Sequence, residues 1–178
     1  DADLEAALAA AVPTKFANAG QVCVTCDRIF VHDSLHDAFV AGFAARAAAL
    51  KLGDGLDPSV QMGPVISAAR RAELEAIVAD AAQAGARLVT GGGRAAGFTA
   101  GFFLEPTVLA DVTDDMRVFA EENFGPIAAI TRFRDEDEVL ARANAGEMGL
   151  SAYAFTRGPD RARRTVAALK AGMVGINS

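Results

Sequence analysis

Cysteine and histidine side chains lie close together in the first quarter of the chain, and both types can bind a metal. Cys23 and Cys26 form a C-x-x-C pair, and His32 and His36 follow it. Such residues match the ligand types of a structural zinc site. However, only five residues separate Cys26 from His32, whereas a zinc finger has roughly 12–15 residues at that place. We therefore predict no metal site and expect both histidines to lie at the surface.

The same cysteine pair suggests a thiol-redox function as an alternative. A thioredoxin-like C-x-x-C follows a strand and opens a helix, because a helix N-terminus lowers the pKa of the first thiol. Here the pair follows a polar stretch and precedes the apolar residues 29–31. The pattern does not favour a dedicated redox motif, but a reversible disulfide between Cys23 and Cys26 stays open. Cys26 fits a buried position better than Cys23, which follows turn-forming residues at 18–21.

A glycine-rich segment at residues 91–96, GGGRAA, matches the G-x-G-x-x-A form of a dinucleotide-binding loop. Such a loop must open a helix, whose N-terminus holds the pyrophosphate. The residues that follow, GFTAG at 97–101, do not favour a helix. We interpret the segment as a surface turn.

The segment EENFGP at residues 121–126 is a second candidate site. A solvated acidic loop would also explain it. In a functional interpretation, the carboxylate of Glu122 holds a ribose and the ring of Phe124 packs against a flat cofactor ring. The segment alone leaves both interpretations open.

Composition excludes several classes of protein. The chain has 178 residues, of which 52% are hydrophobic and 22% charged, so it can form a buried core and is not intrinsically disordered. A net charge of −6 argues against nucleic acid and anionic membrane surfaces as partners. No apolar run approaches the roughly 20 residues that cross a bilayer. Two cysteines are too few for a disulfide scaffold, so we expect a reducing, cytoplasmic setting.

Helix signals alternate with strand signals along most of the chain. Capping residues predict helices that begin near Asp3, Ser34, Ser67, Asp135 and Pro159. The pattern predicts that the proline at position 13 kinks or ends the first helix, and that the glycine at 85 ends the third. Strands are predicted at residues 28–32, 87–90, 102–109, 127–133, 151–156 and 173–177. We predict a single α/β domain over residues 1–178, with a largely parallel sheet flanked by helices on both faces.

Four segments, in order along the chain, resemble the NAD(P)-dependent aldehyde dehydrogenases. FANAGQVC at residues 16–23 is similar to the active-site signature of that family, and EENFGP at residues 121–126 is similar to its second signature. GFFLEPTV at residues 101–108 and GMVGIN at residues 172–177 also resemble family segments. The resemblance covers essentially the whole chain.

The resemblance implies a role for each candidate residue. Cys23 would attack the aldehyde carbonyl to form a thiohemiacetal, and the Cys23 backbone N–H would help to hold the oxyanion. A hydride would then pass to NAD or NADP, and water would hydrolyse the resulting thioester to the acid. Glu122 would bind the nicotinamide ribose and Phe124 would position the nicotinamide ring. Asn177 would line the substrate pocket, and Cys26 would be a possible redox partner of Cys23.

The resemblance further implies that this chain is a fragment. In the family, the cofactor-binding domain and the glutamate general base precede the segment that begins here, and an oligomerisation arm follows it. We therefore expect the isolated chain to fold but not to oxidise aldehydes. In the full-length protein we expect a small aldehyde as substrate and a homo-oligomer, a dimer or tetramer.

The C-terminal segment at residues 172–177 and the pair of cysteines are most similar to succinate-semialdehyde dehydrogenases. Those enzymes have a carboxylate-binding arginine six residues before the nucleophile, where this chain has Ala17. Without a guanidinium at that place, a bidentate contact to a carboxylate is lost. The resemblance therefore supports an aldehyde dehydrogenase, with the semialdehyde as a subordinate hypothesis.

Overall fold

The computed structural model describes residues 1–178 and has the predicted α/β class. Its helices and strands follow one another along the chain. They are α1 (Leu4–Phe16), β1 (Arg28–His32), α2 (Asp33–Ala48), α3 (Ala68–Gln83), β2 (Arg87–Thr90), β3 (Thr107–Ala110), α4 (Arg117–Ala120), β4 (Ile127–Phe133), α5 (Glu136–Ala143), β5 (Ser151–Ala154), α6 (Pro159–Ala168) and β6 (Met173–Ile176). A 3₁₀ turn, Ala17–Gly20, follows α1. None of the helices has both the length and the apolar character needed to span a lipid bilayer.

The strands form two sheets. A four-stranded sheet has the order β1-β4-β3-β2, in which β1 and β3 pair parallel to β4 and β2 pairs antiparallel to β3. A separate two-stranded sheet pairs β5 parallel to β6. The prediction of a largely parallel sheet is therefore confirmed, and β2 is the antiparallel edge strand. The antiparallel pair contains a register shift between Leu88 and Thr90.

The core of the molecule lies around β3 and β4. Residues 127–130 of β4 are all fully buried. Because successive side chains of a strand point to opposite faces, this run shows that both faces of the sheet are covered there. Helix α2 packs against all four strands of this sheet. Phe119 of α4 meets Phe30 of β1 edge to face, with 5.5 Å between the ring centroids.

Most predicted helix ends are confirmed by their capping contacts. The side chains of Asp3, Ser67 and Asp135 accept hydrogen bonds from backbone N–H groups three residues onward, at 3.1, 3.1 and 2.8 Å. Pro159 lies in the first turn of α6. Gly85 follows α3 with φ = +103°, the left-handed conformation that suits glycine at a helix end.

Four local predictions differ from the structure. The strand predicted at residues 102–109 is much shorter, because β3 spans only Thr107–Ala110 and the proline before it has no N–H to donate to a sheet. Helix α1 does not end at Pro13 but continues to Phe16, whose side chain is buried together with that of Lys15. Helix α2 begins one residue before Ser34, and Nδ1 of His32 accepts the hydrogen bond from the Ser34 N–H at 3.2 Å. His36 is fully buried on the face of α2 that packs onto the sheet, although we expected a surface residue.

Candidate active site

Cys23 lies in a tight turn between the 3₁₀ turn and β1. The N–H of Thr25 donates to the carbonyl oxygen of Val22 at 3.0 Å, which places Cys23 and Val24 at the centre of the turn. Cys23 is exposed, as expected for a residue in a turn-forming stretch. Its backbone N–H donates no hydrogen bond within the chain, so it is available to a developing oxyanion.

The approach to this turn is a run of left-handed residues. Asn18, Ala19 and Gly20 have φ values of 48°, 54° and 71°. Asn18 and Gln21 hold this bend with reciprocal side-chain contacts: the amide of Asn18 donates to the Gln21 carbonyl oxygen at 3.1 Å, and that of Gln21 to the Asn18 carbonyl oxygen at 2.9 Å. A Cβ atom on Gly20 would lie 2.1 Å from the carbonyl oxygen of Gly125. The thiol segment therefore lies directly against the 121–126 segment.

Cys26 has a different environment from Cys23. It is partly buried against the apolar core, and burial raises the pKa of the Cys26 thiol. Both cysteines are free thiols in the structure. The exposed Cys23 is thus the more accessible of the two sulfur nucleophiles. The predicted disulfide between them stays a prediction.

In the 121–126 segment, one buried residue lies between two exposed ones. Glu122 and Phe124 are exposed, and Asn123 between them is fully buried. The side-chain amide of Asn123 donates to the carbonyl oxygen of Val118 at 2.7 Å, and the guanidinium of Arg70 donates to the backbone carbonyl oxygen of Asn123. The buried asparagine therefore anchors the segment and directs its two neighbours outward. That arrangement leaves a carboxylate and a ring free to contact a cofactor.

An ion pair between a fully buried lysine and a partly buried aspartate links the two segments, and the sequence analysis did not predict it. The ammonium group of Lys15, whose side chain is fully buried, lies 2.9 Å from Oδ1 of Asp27. The other carboxylate oxygen of Asp27 accepts from the backbone N–H of Asn123 at 3.2 Å. One pattern could have revealed the pair: Lys15 continues the apolar face of α1 formed by Leu8 and Val12, and a lysine on such a face needs a buried partner.

Asn177 lies just beyond β6 with φ = 56°. Its side-chain oxygen accepts from the N–H of Thr156 at 2.9 Å, and its side-chain nitrogen donates to the Thr156 carbonyl oxygen at 3.0 Å. The amide thus ties the end of β6 to the end of β5. A role of Asn177 in lining a substrate pocket stays a prediction.

The two-stranded sheet contacts the thiol turn through β5. The hydroxyl of Tyr153 donates to the carbonyl oxygen of Val24 at 3.0 Å, and Oγ of Ser151 reaches the same oxygen at 3.5 Å. These side chains are two residues apart and share one face of the strand. The sheet therefore supports the residue that follows Cys23.

The remaining sequence candidates do not assemble into a site. No group of three or more His, Cys, Asp or Glu side chains is placed to hold a metal ion. Gly91 and Gly92 adopt left-handed turn conformations, with φ values of 73° and 102°, and no helix follows them. The expected absence of a helix after the glycines agrees with the structure, but the segment is not wholly a surface turn, because Arg94 pairs with Leu104 in an isolated bridge and Ala95 is buried. A Cβ on Gly91 would lie 2.4 Å from the Pro106 carbonyl oxygen, so glycine is required there.

Comparison with known proteins gives one consistent result. The family model described as "Aldehyde dehydrogenase family" matches residues 1–178. The chain is 47% identical to a betaine aldehyde dehydrogenase of Cereibacter sphaeroides over 178 residues, which are 100% of this chain and 36% of that protein. The chain belongs to the aldehyde dehydrogenase family. It spans just over a third of the length of such relatives.

Solved structures agree with this assignment. A succinate-semialdehyde dehydrogenase from Burkholderia pseudomallei superposes with a TM-score of 0.96 at 45% identity, covering 100% of this chain and 36% of that one. An aldehyde dehydrogenase from Mycobacterium tuberculosis complexed with NAD⁺ superposes with a TM-score of 0.95 at 39% identity, covering 99% of this chain and 37% of that one. The alternative of a separate thiol-redox protein receives no support from these comparisons.

Proposed function

We propose that the protein containing this chain oxidises an aldehyde to a carboxylic acid, with NAD or NADP as the electron acceptor. The observation that carries the proposal is the packing of an exposed cysteine turn against a segment that exposes Glu122 and Phe124. Family membership over the whole chain supports it.

Cys23 acts as the nucleophile in this proposal. Its thiolate attacks the aldehyde carbon and forms a thiohemiacetal, and the free backbone N–H of Cys23 donates to the oxyanion. After oxidation the substrate is held as a thioester, which water hydrolyses to the acid and the free thiol. The water requires a general base, and we place that base outside residues 1–178, in line with the family resemblance.

Glu122 and Phe124 would hold the nicotinamide end of the cofactor. The residues fit this task, because both are exposed while Asn123 fixes the backbone between them. The carboxylate of Glu122 would accept hydrogen bonds from ribose hydroxyls, and the Phe124 ring would position the nicotinamide ring. NAD or NADP, when bound, would accept the hydride that leaves the carbon of the former aldehyde group.

The substrate is a small aldehyde whose identity depends on more than this chain. Relatives include a betaine aldehyde dehydrogenase and a succinate-semialdehyde dehydrogenase. The substrates in these two names differ in charge, because betaine aldehyde is a cation and succinate semialdehyde is an anion. Ala17 offers no charge to a substrate carboxylate. We keep succinate semialdehyde as the subordinate hypothesis, with Asn177 lining the pocket. We further propose a cytoplasmic location, with which two free cysteines are consistent. In line with the family resemblance, we also propose that the full-length protein is a homo-oligomer.

The test is an assay of the full-length protein at 340 nm with NAD and with NADP. Betaine aldehyde, succinate semialdehyde and a simple aliphatic aldehyde are compared by kcat/KM. We expect Cys23→Ser to lower kcat by about 10³-fold or more, since it removes the nucleophile, whereas the matched variant Cys26→Ser retains most of the activity. Equal losses in the two variants, or no oxidation of any aldehyde by the unmodified protein, would refute the proposal.

A further inference from the structure

Asp27 belongs to the stretch of chain that carries the thiol, and its side chain is hydrogen-bonded to the other segment of the candidate site. It lies four residues after Cys23, at the end of the thiol turn. Its Oδ2 atom accepts a hydrogen bond from the backbone N–H of Asn123 at 3.2 Å. Asn123 is the residue between Glu122 and Phe124. One carboxylate thus joins the segment that carries the thiol to the segment proposed to hold the cofactor.

We infer that Asp27 is a positioning residue, which together with Lys15 sets the distance between the Cys23 sulfur and the Glu122 and Phe124 side chains. The inference rests on the proposed function and adds a specific contact to it. Neither Asp27 nor Lys15 touches the reacting atoms, so both act through the backbone of the two segments.

The partners of Asp27 explain why it can hold a fixed position. Lys15 is fully buried near the end of α1, and its ammonium group lies 2.9 Å from Oδ1 of Asp27. A buried ammonium must keep a partner, because removing a charge from water without compensation is strongly unfavourable. The carboxylate is therefore held on the Lys15 side, and its second oxygen is directed at Asn123. A rotation of the Asp27 side chain would break both contacts together.

Asn123 is also held by Arg70, which makes no hydrogen bond to the thiol turn. The Arg70 guanidinium of α3 donates to the Asn123 carbonyl oxygen, and the Asn123 side chain donates to Val118. These contacts fix the segment relative to α3 and α4. The hydrogen bond from the Asn123 N–H to Asp27 connects the 121–126 segment to the part of the chain that carries Cys23. Loss of that hydrogen bond should shift Glu122 and Phe124 relative to the Cys23 thiol without unfolding the 121–126 segment.

The size of the expected effect follows from the demands of group transfer. Reacting atoms must approach to about 3–3.5 Å with aligned orbitals, and a misplacement of about 1 Å can lower the rate by about 10²-fold. A purely structural role for the ion pair would predict a different outcome. It would lower the melting temperature and leave the turnover of the folded enzyme unchanged.

The experiment compares two double variants of the full-length protein. Lys15→Met/Asp27→Asn removes both charges and keeps an oxygen that accepts from the Asn123 N–H. Lys15→Met/Asp27→Leu removes the same charges and keeps a similar shape, but it has no acceptor. Double variants are used because a single one would leave an unpaired buried charge. The matched control is Lys51→Met/Asp57→Asn, which removes an ion pair that is roughly half exposed.

We expect the Leu double variant to lose about 30-fold in kcat relative to the Asn double variant. The rate of Cys23 alkylation should differ by less than about threefold between them, and the Asn123 amide should exchange its hydrogen about tenfold faster in the Leu variant. The exposed control should match the unmodified protein. Equal kcat and equal amide exchange in the two double variants would overturn the inference.

Two further results separate this inference from the proposed function. An unmodified protein that oxidises no aldehyde refutes the proposed function, while amide exchange at Asn123 still decides whether Asp27 anchors that segment. If the Leu double variant does not fold, Asp27→Glu keeps the pair with Lys15 and displaces the acceptor by one methylene. That variant should lower kcat by about tenfold with an unchanged melting temperature, and unchanged kcat would overturn the inference.

Discussion

The four-stranded sheet and the two-stranded sheet of this chain are held in place by different kinds of interaction. Around the first, 31 buried residues form one apolar cluster, and Ile130 is the last of them along the chain. Every residue of β3 is buried. Stabilisation there is spread over many contacts, as in the close-packed interior of any domain.

The region beyond β4 contains no buried residue in α5 or α6, and none in β5 or β6. Polar side chains connect its elements instead. Asn144 donates to the carbonyl oxygen of Ala168 at 2.9 Å and accepts from the N–H of Lys170 at 2.8 Å. Asn177 joins β5 to β6 in the same manner. A region stabilised in this way depends on a few hydrogen bonds, each of which a single substitution can remove.

The largest difference should appear between two isoleucines. Ile130→Ala empties a fully buried site in β4 and should lower the free energy of unfolding by about 2–5 kcal/mol. Ile176→Ala, at a partly exposed site in β6, should cost about 1 kcal/mol or less. Urea denaturation followed by circular dichroism measures both. Equal costs would contradict the distinction between the two regions.

A smaller and more local effect is expected at Asn177. Asn177→Ala leaves the N–H and the carbonyl group of Thr156 without their partner, at a cost of about 1–3 kcal/mol. Amide exchange should accelerate in β5 and β6 and stay unchanged in β4. Asn177→Asp, which keeps the acceptor for the Thr156 N–H, serves as the control and should restore part of the protection. Faster exchange in β4 as well would mean that the two sheets unfold as one unit.

The contact between the second sheet and the thiol turn should contribute less again. Tyr153→Phe removes only the hydroxyl that donates to Val24, which we expect to cost about 0.5–1.5 kcal/mol. Alkylation of Cys23 by iodoacetamide should then proceed a few-fold faster, because the turn is less restrained. Ser151→Ala is the control, since its hydroxyl lies farther from the same oxygen, at 3.5 Å. An unchanged alkylation rate in Tyr153→Phe would show that β5 does not restrain the turn.

The last prediction concerns Glu136, which joins α5 to α6 at the surface and whose effect appears as a dependence on acid. Hydrogen bonds from Arg164 and Arg161 lower the pKa of Glu136 from 4.5 to about 2. Because the folded pKa is the lower one, the stabilisation is complete above about pH 4.5 and is lost as the pH falls toward 2. The protection factors of the amides in α5 and α6, which express exchange rates corrected for the intrinsic effect of pH, should therefore fall between these values. Glu136→Gln should remove that acid dependence, and an unaltered dependence would contradict the assignment.

Local chemistry made much of the fold predictable from sequence. Helix caps such as Ser67 and Asp135 depend on residues three positions apart, and both are confirmed. Pairing in the sheets depends on contacts between distant segments. The sequence therefore did not reveal that β2 runs antiparallel or that β5 and β6 form a separate sheet. Pro13 shows the same limit, because α1 continues past it to Phe16 although a proline alone favours an end there.

The candidate site divides in a similar way. Cys23, Glu122 and Phe124 lie in contiguous motifs, so a resemblance of short segments was enough to single them out. The pairing of Lys15 with Asp27 joins a helix end to a loop, and the bond from Asp27 to Asn123 crosses 96 residues. No spacing rule connects such positions. Candidate site residues that lie in short motifs are therefore easier to predict from the sequence than the residues that hold those motifs in place.

The contact of Tyr153 with Val24 has a consequence for how the protein is made. The two residues are 129 positions apart, so the ribosome completes the thiol turn long before it adds the strand that supports it. At about 5–20 residues per second, that interval is roughly 6–26 s. During this time Cys23 and Cys26 have emerged with the first helices, and Asn123 and Tyr153 follow only later. Until β5 is made, Val24 lacks the hydrogen bond from Tyr153, and the turn depends on its own local contacts, such as the hydrogen bond from the Thr25 N–H to the Val22 carbonyl oxygen.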